Sequence, residues 1–304
     1  MECQGQPKKP ARSMVSSQFM SCIWQSWQRF KEENVLQPSE KQFCDFYRRF
    51  NSVAGIDFSQ YKQDQLTRRM VMLVEQRKLK TFEELTDLVL KDREAREWFL
   101  DRLAINVTEV FRNPEHWVFL EQFIKDDLLK AGKPLKVWSA GCSTGAEAYS
   151  LASILDVHSP RKPHRIVCTD IDAAAMQQAK DGVLFGTEFR DVPKEYQKYF
   201  SKTPRGAAVS DELKQYMTFQ RHNLLADSYG TGYDLIVCRN VLIYFVEEAK
   251  EQIFRRFFDA LRPGGYLFIG GSERIFNPKG IGFECPRPYF YQKPSEEKKW
   301  LNAS

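Results

Sequence analysis

Hydrophobic residues recur at helical spacing through the first third of the chain. Between residues 38 and 105 the apolar positions lie three or four residues apart and form successive faces: Phe43, Phe46, Tyr47, Phe50, Leu66, Met70, Leu73 and Val74. Ser39 with Gln42, and Thr81 with Glu84, have the spacing of capping boxes at helix starts. No alternating β-branched run interrupts this pattern. The segment therefore predicts a small all-helical domain.

A polar N-terminal extension, residues 1–37, precedes this domain. It begins with a stretch rich in Gln, Pro, Lys and Ser, but Val15, Phe19, Ile23 and Trp27 then recur every four residues. That spacing predicts a short helix with one apolar stripe. We interpret it as a helix docked on its own chain, in preference to one that binds a partner.

Beyond residue 106 the pattern changes to apolar strands that alternate with helices. The predicted strands are "LKVWSA", "RIVCTD", "YMTFQRHN", "YDLIVCRN", "GGYLFIGG" and "PYFYQK". Helical patterns lie between the first four of these strands. This alternation predicts a doubly wound, Rossmann-like α/β domain over residues 106–304. A longer and more polar stretch, about residues 182–219, interrupts the alternation, and we predict an inserted β-subdomain there.

The turn after the first predicted strand consists of small residues. Gly141, Ser143, Thr144 and Gly145 would let a ligand approach the backbone closely. The turn is not G-x-G-x-x-G and lacks the Lys of a phosphate-binding loop, which disfavours a pyrophosphate cofactor.

Polar pairs end three successive predicted strands. They are Thr169-Asp170, His222-Asn223 and Arg239-Asn240. Because the carboxyl ends of parallel strands share one edge of a sheet, these pairs predict a lined pocket. Asp170 could accept both hydroxyls of a ribose there, or it could cap the helix "DAAAMQQA", for which Asp172 competes.

From about residue 38 to the C-terminus, the chain resembles the CheR-type chemotaxis receptor methyltransferases. The motifs that carry the resemblance are "NVTEVFRNPEHW", "VWSAGCSTGAEAYSLA", "CTDID", "VCRNVLIYF" and "GGSERI", in this order and spacing. The resemblance implies transfer of a methyl group from S-adenosylmethionine to glutamate side chains of chemoreceptors. It implies S-adenosylhomocysteine as the product and no metal.

The resemblance also assigns site residues. Those implied to bind the cofactor are Asn106, Thr108, Arg112, Ala140, Glu147, Asp170, Asn223, Leu224, Arg239 and Asn240. Arg112 and Tyr244 are implied to face the reacting methyl group as catalytic residues. Relatives often have an acid at position 146, where this chain has Ala, so the carboxylate role falls to Glu147.

A basic cluster marks the helical domain between residues 61 and 80. The residues singled out for docking are Arg68, Arg69, Arg77 and Lys78, and Arg69 and Arg77 are predicted to share a face of their helix, opposite Leu66, Met70 and Leu73. Such a charge run is usually a solvated face. The resemblance favours a docking surface for the acidic cytoplasmic domain of a chemoreceptor.

The composition bears on which kinds of site the chain can have and on where it is located. The net charge is +5 and the seven cysteines are scattered without C-x-x-C spacing, so we expect neither a disulfide framework nor a zinc site. This usage favours a cytoplasmic location. No apolar run approaches the length of a membrane span, so membrane insertion is not expected.

Two other functions share this cofactor fold. A nucleic-acid methyltransferase would have aromatic residues interleaved with its basic stripe, and here Tyr61 alone fits, so no nucleic-acid partner is expected. A non-catalytic S-adenosylmethionine-binding signalling module would be favoured by loss of Arg112 or Tyr244, and both are present. A third alternative is a scaffold that residues 1–37 couple to another protein.

Overall fold

The computed structural model describes residues 38–104 and 106–295. The helix predicted within residues 1–37 lies outside them. The described part begins with four helices that form one compact layer. They are α1 (Glu40–Ala54), α2 (Gln63–Gln76), α3 (Phe82–Lys91) and α4 (Arg93–Leu103), with a 3-10 turn at Phe58–Gln60.

Both predicted helix caps are present. The Ser39 side chain accepts a hydrogen bond from the Gln42 amide, and the Gln42 side chain accepts one from the Ser39 amide. Thr81 accepts from the Glu84 amide, while the Glu84 carboxylate accepts from Lys80 instead of Thr81. The caps satisfy backbone groups that would otherwise lack partners at the starts of α1 and α3.

Aromatic rings fill the core of the helical domain. Phe46, Phe50, Phe58 and Phe99 are almost fully buried, and their ring centroids lie 5.1 to 6.4 Å apart. Offset and edge-to-face packing at such distances stabilises a core beyond its buried area alone. The helical domain therefore has a hydrophobic core of its own.

The rest of the described chain contains ten strands and six further α-helices. The strands are β1 (Lys136–Ala140), β2 (Arg165–Asp170), β3 (Val183–Phe185), β4 (Phe200–Thr203), β5 (Gly206–Val209), β6 (Met217–Arg221), β7 (Tyr233–Cys238), β8 (Leu261–Ile269), β9 (Glu284–Arg287) and β10 (Phe290–Gln292). The helices are α5 (Pro114–Phe123), α6 (Ala146–His158), α7 (Ala173–Asp181), α8 (Asp211–Lys214), α9 (Glu247–Ala260) and α10 (Pro278–Ile281).

Seven of the strands form one sheet in the order β6-β2-β1-β7-β8-β10-β9. The first five are parallel, and β10 runs antiparallel to both β8 and β9. Val137 and Trp138, neighbours on β1, point into two different hydrophobic cores, one on each side of the sheet. Helices pack against both cores, so the predicted doubly wound fold is confirmed.

The inserted segment forms a second, three-stranded antiparallel sheet in the order β3-β5-β4. The Asp156 carboxylate on α6 accepts hydrogen bonds from the hydroxyls of Tyr199, at 2.5 Å, and Tyr216, at 2.6 Å, which anchors the insert to the main domain. The insert was predicted over about residues 182–219, and in the structure Met217 already pairs with Ile166 of β2 in the main sheet.

The direction in which the chain adds strands to the main sheet reverses at β1. The chain places β2 and β6 on one side of β1, and β7 and β8 on the other. Parallel sheets bind their ligands in the crevice that opens beyond the strand ends at such a point. The helical domain lies over this crevice. Among the described residues, no helix is both long and apolar enough to cross a membrane.

Candidate active site

A cavity of about 210 Å³ lies beyond the carboxyl ends of β1, β2 and β7, under the helical domain. It brings together eight of the residues that were predicted for the site: Asn106, Thr108, Arg112, Glu147, Asp170, Arg239, Asn240 and Tyr244. The helical domain contributes Phe58, Tyr61 and Arg69 among others. Apolar walls with converging polar and charged groups are typical of a site for a small organic ligand.

The turn after β1 is pressed against the floor of this cavity. Gly141 has a φ of +80°, and a Cβ atom there would meet the Cγ2 atom of Val241 at 2.3 Å. Only glycine fits both the backbone conformation and the space. The Ser143 amide donates a hydrogen bond of 2.8 Å to Asp170 Oδ2, which joins the turn to the end of β2.

The two aspartates after β2 have different roles. Asp172 caps α7, because its Oδ1 atom accepts hydrogen bonds from the amides of Ala174, at 2.9 Å, and Ala175, at 3.1 Å. Both aspartates line the cavity, and burial raises the pKa of the Asp170 carboxyl. The capping role that the sequence left open therefore belongs to Asp172.

A buried carboxyl and a buried guanidinium face each other at the base of α6. Glu147 Oε1 accepts a hydrogen bond of 2.9 Å from Ser139, and its Oε2 atom lies 3.9 Å from Arg239 Nη1. Burial raises the pKa of Glu147 to about 7, although the positive charge of Arg239 opposes the shift. Arg239 Nη2 donates to the Arg112 carbonyl, but its Nε atom has no hydrogen-bond partner among the described residues. This pair thus has capacity left for a polar ligand.

Residues 106–112, which follow the helical domain, cross the cavity as a strap. The Asn106 amide donates a hydrogen bond of 2.6 Å to Asp172, and its oxygen accepts one of 2.8 Å from the Ser143 hydroxyl. Arg112 uses one Nη atom to bind the Val107 carbonyl at 2.8 Å and presents the rest of its fork to the cavity. Tyr244 lines the same space, and burial raises the pKa of its phenol, which therefore stays neutral.

Three predicted cofactor residues are not among the described residues that line the cavity: Ala140, Asn223 and Leu224. Ala140 and Leu224 are buried beneath the site. The Asn223 oxygen accepts a hydrogen bond from the Leu225 amide, and its amide group lies 3.4 Å from the Gly55 carbonyl. The end of β6 thus contributes to the frame around the cavity, and a direct role for these residues stays a prediction.

The structure divides the predicted docking residues into two groups. Arg68 and Lys78 are exposed. The Arg77 guanidinium lies 4.0 Å from the centroid of the Trp98 ring on α4. Arg69 points inward, where it donates hydrogen bonds to the carbonyls of Arg102, at 2.8 Å, and Ala104, at 3.0 Å. Arg69 and Arg77 thus both contact α4, and a docking role for the four residues stays a prediction.

Glu273 is a site residue that the sequence analysis did not single out. Its carboxylate accepts four backbone hydrogen bonds of 2.7 to 3.0 Å, from the amides of Gly270, Asn240, Val241 and Leu242. Asn240 has a left-handed φ of 61°, which costs free energy unless neighbouring groups hold it. Glu273 thereby fixes the turn that presents Asn240 and Tyr244. An acid shortly after a buried strand, in "GGSERI", was the available signal.

Replacement of Glu273 by Gln is expected to lower the free energy of unfolding by about 1–3 kcal/mol. The new NH2 group would face two backbone N–H groups that now share one carboxylate oxygen. Urea unfolding measures the change. Glu251→Gln, which removes only an exposed ion pair with Arg255 on α9, should cost less than about 1 kcal/mol. Equal losses in the two variants would contradict the positioning role.

The groups that line the cavity fit S-adenosylmethionine, the cofactor that the resemblance implies. Asp170 supplies a carboxylate for ribose hydroxyls, Glu147 one for a cation, and Arg112 and Arg239 supply donors for a carboxylate. No cluster of three or more His, Cys, Asp or Glu able to hold a metal ion occurs in residues 38–104 and 106–295.

Comparison with protein families gives two matches that together span most of the chain. Residues 41–104 match the family model described as the CheR methyltransferase, all-alpha domain. Residues 106–285 match the CheR methyltransferase, SAM binding domain. The second match begins at the strap that crosses the cavity.

Individual proteins give the same result. A chemotaxis protein methyltransferase of Listeria innocua is 37% identical over 261 residues, which is 85% of this chain and 100% of that protein. Chemotaxis protein methyltransferase 1 of Pseudomonas aeruginosa is 35% identical over 73% of this chain and 86% of its own length. The Escherichia coli chemotaxis protein methyltransferase is 33% identical over 73% of this chain and 80% of its own. The chain therefore belongs to the CheR family of S-adenosylmethionine-binding methyltransferases.

Proposed function

We propose that this chain transfers the methyl group of S-adenosylmethionine to glutamate side chains of chemoreceptor cytoplasmic domains, giving glutamyl methyl esters. The observation that carries the proposal is the set of cationic side chains beside Tyr244. Lys62, Arg69 and Arg112 line the same cavity as that phenol. Their charges favour an anionic acceptor over an amine or a nucleobase, and guanidinium groups suit carboxylates well.

The cofactor site is proposed to use the carboxylates at the strand ends. Asp170 would accept the ribose hydroxyls, Glu147 would hold a cationic group, and Asn106 and Thr108 would close over the ligand from the strap. When bound, S-adenosylmethionine supplies an electrophilic methyl group, which is attached to its positively charged sulfonium sulfur. The part of the site that would hold the adenosine group would be shaped from below by Ala140, Asn223 and Leu224.

The chain's own part in the transfer is positioning and water exclusion. A glutamate side chain has a reference pKa of about 4.3, so the acceptor is already ionised at neutral pH and no general base is needed. Arg112 would clamp a carboxylate, either of the acceptor or of the cofactor, with its planar fork. Tyr244, a neutral phenol, would orient the acceptor oxygen with its hydroxyl. The helical domain above the cavity keeps water away from the reacting groups.

The partner is proposed to be the acidic cytoplasmic part of a chemoreceptor. Arg68, Arg77 and Lys78 are exposed at the helical domain, which also carries the inward-pointing Arg69. Contacts between such exposed charges and an acidic helical bundle would weaken with ionic strength. This location of the substrate agrees with the cytoplasmic setting that the cysteine usage favours.

The test is transfer of a labelled methyl group to purified chemoreceptor cytoplasmic domains, with and without alanine at their methyl-accepting glutamates. The proposal predicts label in the native domain and none in the alanine variant. Equal labelling of both domains would overturn it. Label in added RNA or DNA instead would favour a nucleic-acid methyltransferase.

Binding of S-adenosylhomocysteine is expected to release a proton near neutral pH. Burial raises the pKa of Glu147 to about 7 in the free protein, so its carboxyl is largely protonated at about pH 6. The ammonium group of the ligand favours the ionised form, which lowers this pKa and raises the affinity as the pH increases. Calorimetry in two buffers of different ionisation enthalpy measures the released proton.

Glu147→Gln is the matched control for this prediction, since it removes the titrating group and keeps the side-chain size. Its proton release should be absent and its affinity nearly independent of pH between about 5.5 and 7.5. The sign for folding is opposite. Because the pKa of Glu147 in the folded protein lies above its ordinary value of 4.5, the free energy of unfolding of the free protein falls as the pH rises from 4.5 to about 7. The same proton release in both proteins would contradict the role of Glu147.

A further inference from the structure

Tyr61 joins the two domains at the cavity. Its side chain packs against the core of the helical domain and also against the core of the α/β domain that contains Trp138. Its ring centroid lies 5.6 Å from that of Phe58 and 4.8 Å from that of Phe245. The residue also lines the cavity, so one side of the phenol faces the space where the cofactor would bind.

The backbone around Tyr61 is held to the turn after β7. Tyr61 and Phe245 form an antiparallel bridge, flanked by a hydrogen bond of 2.9 Å from the Lys62 amide to the Tyr244 carbonyl. A second hydrogen bond of 2.9 Å runs from the Val246 amide to the Gln60 carbonyl. The ring is therefore fixed from both sides before any ligand binds, as a precise ligand contact requires.

The Tyr61 hydroxyl is available to a ligand. No hydrogen bond joins it to another residue of the described chain, and it is not among the polar atoms that are buried without a partner. Burial, with smaller effects of the Asp170 and Asp57 charges, raises the pKa of this phenol. The hydroxyl is thus a neutral donor and acceptor near the carboxylate that the proposed function assigns to the ribose.

We propose that Tyr61 binds the nucleoside part of the cofactor through its hydroxyl, so that the helical domain completes the S-adenosylmethionine site. This inference rests on the proposed function only in taking that cofactor as the occupant of the cavity. The helical domain would then do more than contact a partner: any displacement of Tyr61 from Phe245 would weaken cofactor binding. The alternative is that Tyr61 only packs the two domains together.

The test is the dissociation constant of S-adenosylhomocysteine for the full chain, measured by calorimetry without receptor. Tyr61→Phe keeps the ring and should weaken binding about 5-fold, the effect of one lost hydrogen bond, with little change in the midpoint of thermal unfolding. Tyr61→Leu also removes the aromatic surface and should weaken binding at least about 10-fold. Tyr47→Phe is the matched control, because that phenol is buried in the helical core away from the cavity and should bind as the wild type does.

An unchanged dissociation constant in Tyr61→Phe overturns the proposal, whatever Tyr61→Leu does. Lower thermal stability with wild-type affinity in Tyr61→Leu would likewise assign Tyr61 to packing alone. Failure of the proposed function is distinguishable from both results. A wild-type chain that binds S-adenosylhomocysteine but forms no ester on receptor glutamates refutes that function and leaves the Tyr61 measurement standing.

Discussion

Replacement of Arg112 by alanine is expected to lower kcat about 100- to 1,000-fold, the effect of removing one fixed electrostatic contact to reacting groups. The Arg112 side chain is anchored on the Val107 carbonyl, and the remaining donors of its fork face the cavity beside Tyr244. Loss of these donors leaves a carboxylate in the cavity without its partner. Initial rates of methyl transfer at saturating receptor domain and S-adenosylmethionine measure the effect.

Two further variants sharpen this prediction. Arg112→Lys keeps the charge but loses the planar fork, so it should restore only part of the rate. Arg255→Ala removes an exposed arginine that pairs with Glu251 on α9 and should leave kcat unchanged. A change in KM alone in Arg112→Ala would contradict a role in the transition state and would assign Arg112 to ground-state binding.

Replacement of Asp170 by Asn is expected to weaken the binding of S-adenosylhomocysteine about 100-fold. A hydrogen bond to a charged group contributes about 1.5–3 kcal/mol, and the amide keeps only one of the two acceptor oxygens. The neutral side chain also loses acceptor strength towards the Ser143 amide, which holds the turn after β1. Calorimetric titration at fixed pH measures the loss.

An exposed aspartate at the end of α7 is the matched control. Asp181 accepts a hydrogen bond from Gln177 and does not line the cavity. Asp181→Asn should therefore bind the ligand nearly as well as the wild type. Equal losses in the two variants would contradict the assignment of the ribose to Asp170.

The periodic parts of the fold were predictable from the sequence. All six predicted strands occur, because each combines a buried apolar run with turn residues at its ends. The short strands β3 and β9 carry exposed positions and little apolar alternation, so nothing in their sequence distinguishes them from loops. Their pairing with neighbouring strands, a tertiary property, makes them strands.

Arg69 shows what a charge pattern leaves open. It lies three residues after Leu66 and four before Leu73, so helical spacing puts it beside the buried face of α2. The C-terminal carbonyls of α4 accept its hydrogen bonds. The basic cluster alone could not predict this contact, because the position of α4 is not visible in the local sequence.

The prediction of the functional site was limited in the same way, by contacts between residues that are distant in the sequence. Asp170 and Arg239 could be predicted because they end strands that meet at one edge of the sheet. The positions of Glu273 and Tyr61 at the site could not, because they depend on contacts with residues far away in the sequence, the amide of Asn240 and the ring of Phe245. Asn223 follows the strand-end rule too, yet its side chain is used within its own loop and towards Gly55.

The most direct test of the central claim is the chemical nature of the bond that the enzyme forms. Receptor cytoplasmic domain labelled from S-adenosylmethionine with a radioactive methyl group is treated with mild alkali, and the volatile product is collected. The carboxylate mechanism predicts that the label is released as methanol, since only an ester is hydrolysed under these conditions. Label that remains on the protein after the treatment would mean an amine or amide acceptor and would contradict the account.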